Sequence, residues 1–202
     1  MSQISEIEKL IDDSLSRGDS LDKVTRKIYL LFPTHAFKNQ YDLQFNLLTD
    51  ISNHFDVPIS SIHIVGSAKT GISFVKGTIF SPDSSDIDIA IVDQSLFMKS
   101  FEYSFKVSKG WQLNAFSVRN KPEKTKERRA EFLDYLHKGI FRPEIMPYCK
   151  QRADWLNFFS RLDNNYSNFC NGISAWIYAS EHFLTTKQVS AVQKFLSNKG
   201  AV

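Results

Sequence analysis

The chain has 202 residues, of which 42% are apolar and 13% aromatic, with 17 Phe. That supply of bulky side chains builds a core and excludes a disordered chain. Lys and Arg number 25 against 22 Asp and Glu, a net charge of +3 that singles out no class of partner. The two cysteines, Cys149 and Cys170, are too few for a disulfide framework and are not spaced as zinc ligands, so they read as buried thiols in a reducing compartment. No apolar run reaches the roughly 18 residues of a membrane span, and the opening MSQISEIEKLIDDSL is acidic and amphipathic, unlike a signal peptide. The expectation is a soluble cytoplasmic protein with no membrane partner.

Residues up to about 57 read as a helical extension. Ile4, Ile7, Leu10, Ile11 and Leu15 recur at helical spacing, and that run stops at Arg17-Gly18-Asp19-Ser20. Ser20 or Asp22 caps a second helix through Val24, Ile28 and Leu31, ending before Pro33. A third is predicted over 38–55, with Tyr41, Phe45, Leu48, Ile51 and Phe55 on one stripe. After Pro58 the character changes. Ile59–Val65 is short and β-branched and runs into Gly66-Ser67; Ile87–Val92 is a second strand, following a Ser-, Pro- and Asp-rich turn. Trp111–Val118 reads as a further strand, 123–138 as a helix, 152–169 as a helix, Gly172–Ala179 as a strand and 186–196 as a helix. Trp155, Phe158, Phe159 and Leu162 fall at core spacing, and Phe141–Pro147 is a Pro-punctuated connector that could also wall a site. The order predicts an α+β fold with a small mixed sheet surrounded by helices, the whole chain forming one domain with a C-terminal helical region.

Two segments carry chemistry. In the strand Ser85-Asp86-Ile87-Asp88-Ile89-Ala90-Ile91-Val92, Asp86 and Asp88 share one face, and Ile87, Ile89 and Ile91 share the buried one. Neighbouring carboxylates repel unless a cation lies between them, and Mg²⁺ takes one or two carboxylates together with phosphate oxygens. In Ile62-His63-Ile64-Val65-Gly66-Ser67-Ala68-Lys69-Thr70-Gly71 a strand ends in Gly-Ser and turns into a helix. Glycine admits a phosphate close to the backbone, Ser67 offers a hydroxyl at the helix N-cap, and Lys69 would neutralise a further phosphate. Each piece has an ordinary reading: Asp-x-Asp occurs on exposed strands, Gly-Ser is a common turn, and Lys69 can be a solvated lysine. His63, inside an apolar strand, reads as structural. In this order and context, the phosphate turn and the carboxylate pair point to phosphoryl or nucleotidyl transfer.

Gly66-Ser67 followed by Ser85-Asp86-Ile87-Asp88 resembles the signature of the DNA polymerase beta-like nucleotidyltransferase superfamily, which includes minimal nucleotidyltransferases and antibiotic adenylyltransferases. The resemblance covers residues 59–93. It implies a sheet of nucleotidyltransferase type and a Gly66-Ser67 turn that holds the triphosphate. It further implies that Asp86 and Asp88 bind Mg²⁺ or Mn²⁺ and carry the catalysis. The reaction implied moves a nucleoside monophosphate from a nucleoside triphosphate to a hydroxyl of protein, RNA or a small molecule. The chain departs from the pattern in an insertion over Phe74–Asp83, and in lacking a third carboxylate on a neighbouring strand. Glu181, just beyond Gly172–Ala179, and Asn114 are the polar residues nearest that role. The alternative is a catalytically inactive module of the same type that binds a nucleotide or a partner. The basic run at 119–129 reads as an acceptor or RNA clamp, or as a solvated face; a helical RNA-binding adaptor rests on that run alone.

Overall fold

A computed structural model describes residues 3–82 and 84–200. Asp83, the last residue of the expected insertion, lies outside the described residues, as does the side chain of Ile4.

The first helix, α1 (Gln3–Ser16), buries Ile7 and Ile11. Ser20 then caps α2 (Leu21–Arg26) by accepting from the Lys23 N–H. The chain widens into a π turn over Lys27–Leu31. The extra residue in that turn moves the buried stripe, so Tyr29 is enclosed and Leu31, expected inside, is 81% exposed. The third helix, α3 (Tyr41–Phe55), starts later than expected because Asn39 takes a left-handed φ of 63°. It is also rolled about its axis. Leu47 and Ile51 enter the core, while Tyr41 and Phe45 are 73% and 59% exposed.

A single 3-10 turn at Ile59–Ser61 leads into β1 (Ile62–Val65), which is shorter than the strand expected from Ile59. The five-residue α4 (Gly66–Thr70) follows directly. Next come β2 (Asp86–Val92) and α5 (Gln94–Val107), the latter capped by the Asp93 carboxylate accepting from the Leu96 N–H at 2.7 Å. No element is expected over 94–107, so α5 is an addition to the predicted order.

Trp111–Val118 is not a strand. Lys109, Gly110 and Trp111 all have positive φ (51°, 79° and 57°), and the segment closes as a 3-10 turn at Leu113–Phe116. Left-handed residues in succession cannot extend into a ladder, and the Trp111 ring packs instead on Phe101 and Phe105. The remaining elements are α6 (Pro122–His137), β3 (Ile140–Phe141), α7 (Lys150–Asn165), β4 (Gly172–Tyr178) and α8 (Glu181–Lys199). The expected connector at 141–147 therefore begins as an edge strand, with Phe141 and Met146 fully enclosed.

The result is an α+β architecture, with helices around a four-stranded mixed sheet of order β1-β2-β4-β3. β1 and β3 run antiparallel to their neighbours, and β2 and β4 are parallel. Helices cover both faces. On one, Ile87, Ile89 and Ile91 meet the Leu47–Ile51 stripe of α3 and the Trp155, Phe158, Phe159 and Leu162 stripe of α7. On the other, Val65, Ala90 and Tyr178 meet Ile7 and Ile11 of α1, Val24 of α2, and Leu184 and Val192 of α8. Both cysteines are free; Cys170 is buried and Cys149 half-buried. Among the described residues no helix is long and apolar enough to cross a membrane.

Candidate functional site

The pleat of β2 puts Asp86 and Asp88 on the face covered by α1, α2 and α8, at the end those helices leave open. Strand register sets their neighbours. Val65, at the end of β1, lies opposite Asp88 on one side, and Ser174 of β4 lies opposite it on the other. The Ser174 hydroxyl donates to Asp88 Oδ1 at 3.1 Å, and the Asn171 amide donates to Asp86 Oδ1 at 3.1 Å. Gly66 follows Val65 at φ +64°, and a Cβ there would stand 2.7 Å from Asp88 Oδ2. Only glycine fits this close approach of the turn to the carboxylate.

Val65, Gly66, Asp86, Asp88 and Ser174 line a cavity of about 590 Å³ with Ser67, the hairpin that follows α4, Trp176 and one face of α8. The expected insertion forms that hairpin. Ile72 bridges to Ile79, the Ser73 N–H donates to the Thr78 carbonyl, and Phe74 turns inward to stack on Phe195 of α8 at 4.4 Å. Lys76 at its tip lines the cavity, and so do Lys187 and Lys194 of α8. Lys187, Ser190, Ala191 and Lys194 recur at spacings of three and four, so one stripe of the helix meets the cavity. None of the three lysines has a carboxylate within ion-pair distance among the described residues.

Asp88 is exposed and lines the cavity. The protein packed around it raises its pKa by desolvation, the Ser174 hydrogen bond lowers it, and the charge of Asp86 raises it again while Lys76 lowers it. Two carboxylates so placed suit a hard divalent cation. Among the described residues no group of three or more His, Cys, Asp and Glu side chains is placed to hold a metal. Asp86 and Asp88 would hold such an ion with the remaining ligands drawn from phosphate and water.

The sequence-derived candidates thus separate. Gly66, Ser67, Asp86 and Asp88 come together around the cavity. Lys69 does not join them: it is only 6% exposed, its ammonium donates to the Phe32 carbonyl at 2.5 Å, and burial pushes its pKa down to about 8. It is neither solvated nor aimed at a phosphate. Ser67 is the second residue of α4, whose N-cap is Val65, so its hydroxyl is not the cap that was expected. Neither candidate for a third acid reaches the pair. Glu181 pairs with Arg26 at 2.7 Å, and Asn114 lies in the 3-10 turn at Leu113–Phe116. His63 is half-buried, with its pKa lowered by desolvation and then by Lys69, as a structural histidine should be.

In the basic run, Arg128 donates to the Ile145 and Glu144 carbonyls and Arg129 to the Trp111 carbonyl, so two of its cations bind the fold together. Two further clefts, of about 530 and 400 Å³, flank His54 beside α3 and α7. There the imidazole lies flat on Phe158 at 3.8 Å, an arrangement that serves packing.

Sequence reasoning missed Lys76, Ser174, Trp176, Lys187 and Lys194. The alternation of β4 put Ser174 and Trp176 on one face, but nothing local shows that this face adjoins Asp88. Comparison with protein-family models, with curated proteins and with solved structures finds no match to the chain.

Proposed function

We propose that the protein is a metal-dependent nucleotidyltransferase of the polymerase beta-like type, moving a nucleoside monophosphate from a nucleoside triphosphate to an acceptor. One observation carries the reading. Asp86 and Asp88 open into the same cavity as the Gly66-Ser67 turn, and lysines without acidic partners surround them. A cavity with paired carboxylates and surplus lysines suits a polyanion that arrives with a divalent cation. Mg²⁺ or Mn²⁺ held by Asp86 and Asp88 would neutralise charge on the transferred phosphate. Ser67 would hydrogen-bond the triphosphate, and Lys76 and Lys194, on the hairpin's side of the cavity, would bind its outer phosphates and the departing pyrophosphate. Asn171 and Ser174 hold the two carboxylates in orientation.

The test is transfer of α-phosphate label from each of the four nucleoside triphosphates into cell lysate with Mg²⁺ or Mn²⁺. The controls are Asp86→Ala and Asp88→Ala. Label that needs the metal and both aspartates supports the reading; no label with any triphosphate refutes it. A second reading, a nucleotide-binding module without catalysis, is favoured by the serine beside Asp88. It requires metal-dependent triphosphate binding with no label transferred.

A further inference from the structure

The strand beside Asp88 supplies nothing that takes a proton at neutral pH. On the cavity side β4 presents Gly172, Ser174, Trp176 and Tyr178, and burial holds the Tyr178 hydroxyl far above its ordinary pKa. No histidine and no acid other than Asp86 and Asp88 lines the cavity among the described residues. Asp163 of α7 approaches the start of β4, its Oδ1 3.9 Å from where a Cβ on Gly172 would stand, but it accepts from the Ile173 N–H at 2.7 Å and does not line the cavity. A hydroxyl nucleophile needs a base to remove its proton.

The same side is cationic. Lys187 stands 5.8 Å from the Trp176 ring and 5.7 Å from the Tyr135 ring. Arg142, 4.4 Å from the Trp176 ring, is already paired with Glu131 and Glu144 at 2.5 and 2.6 Å. Lys187 is therefore the cation left over. It lies two helical turns from Lys194, about 10 Å along α8, while Lys194 adjoins Phe195 and the hairpin. In-line displacement puts the attacking and leaving oxygens on opposite sides of phosphorus. With the leaving pyrophosphate on the side of Ser67, Lys76 and Lys194, the acceptor enters beside Ser174, Trp176 and Lys187.

We propose that the acceptor is a phosphate monoester, bound through Lys187, and that the product is a phosphoanhydride. The inference rests on the transfer reading above. A phosphate monoester has a second pKa near 6, so its oxygen is already anionic at pH 7 and no base is required. That oxygen forms a bond to the α-phosphorus, and the bond from the α-phosphorus to the bridging oxygen breaks. Pyrophosphate leaves with the electron pair, and no proton changes hands.

The experiment first measures binding of α,β-methylene analogues of the four triphosphates with Mn²⁺ by calorimetry. The full chain then receives the four triphosphates and Mg²⁺ with one of four acceptors: glucose 1-phosphate, glucose, a 5′-phosphorylated oligoribonucleotide, or its 5′-hydroxyl form. Transfer is expected to a phosphorylated acceptor alone, giving two coupled ³¹P resonances in the product, and the arm that reacts identifies a small-molecule or an RNA source. The rate should be flat above about pH 7, and Lys187→Gln should lower it at least tenfold while analogue binding changes less than twofold. Transfer to a hydroxyl arm, a rate that climbs steadily above pH 7, or full activity in Lys187→Gln overturns the inference and leaves the transfer reading standing. Bound analogue with no transfer in any arm overturns the inference as well. Failure of every analogue to bind removes the transfer reading itself, and the inference with it.

Discussion

Lys69 offers a test of the burial that holds the Gly66-Ser67 turn in place. Its pKa falls from 10.5 to about 8 because the ammonium loses water, for which the hydrogen bond to the Phe32 carbonyl at 2.5 Å compensates in part. The folded pKa lies below the unfolded one, so between those values the unfolded chain binds the extra proton and stability rises with pH. Applying both values to the linkage relation gives a gain of about 2 kcal/mol between pH 7 and pH 9.5. Lys69→Met keeps the apolar stem and removes the titration. At pH 7 the loss of the hydrogen bond and the relief from burying a charge offset one another, so the slope is the deciding quantity. Urea unfolding of both proteins at half-unit steps of pH measures it. The wild-type midpoint should gain on the variant by roughly 0.7–1 M over that range. Taking the difference cancels the tyrosines and thiols that titrate in both proteins. Parallel pH profiles would refute the argument, because they would mean that the Lys69 ammonium is hydrated in the folded state.

Gly66→Ala forces a side chain into a φ of +64° and places its Cβ 2.7 Å from Asp88 Oδ2. The backbone cost of about 1–2 kcal/mol corresponds to a Tm lowered by about 2–8 °C in a chain of this size, and Mn²⁺ binding should weaken as the carboxylate is displaced; a melt and a titration equal to wild type would contradict it. Asp88→Asn addresses repulsion in the pair. Desolvation and Asp86 raise the Asp88 pKa in the fold, so the folded state holds that proton longer and wild-type stability falls as pH rises from the ordinary carboxylate value through the raised one. The variant should therefore be the more stable of the two at pH 7, with the gap closing toward pH 3, and should lose any stabilisation by Mn²⁺. A variant less stable than wild type at pH 7 without metal would show that the carboxylate is not strained by its surroundings.

How far the fold was legible depended on how local each signal was. The alternation in β2 is complete within seven residues, and the Ser20 cap and the Trp155–Leu162 stripe are as short-range, so the structure reproduces them. Trp111–Val118 has the composition of a strand, but three consecutive left-handed residues before Gln112 reflect the packing of Trp111 on α5, which no short window contains. The roll of α3 has a similar origin. Of the expected stripe, Ile51 is buried and Leu48 and Phe55 pack against the core, while Leu47 takes a buried place and Tyr41 and Phe45 face solvent, a roll selected by the neighbouring sheet and α7. Lys69 misled because its charge suggested water or phosphate, whereas its position on a buried face of α4 had already determined its partner.

The cavity itself shows why half of the candidate site escaped. Asp86 and Asp88 are two residues apart in one strand, but Ser174 becomes their neighbour only through the parallel pairing of β2 with β4, and that pairing spans α5, α6, β3 and α7. Lys187 and Lys194 arrive from α8, whose apolar residues Leu184 and Val192 specify packing on the sheet. Between the lysines the cavity stripe carries Ser190 and Ala191. Larger side chains there would fill the space over the carboxylates, and interiors are otherwise packed without gaps of this size. Small residues between two unpaired cations, opposite two carboxylates, leave charge and volume that the chain does not satisfy from within. A bound polyanion with its metal would supply both, which is why the cavity, more than the Asp-x-Asp pair alone, supports the transfer reading.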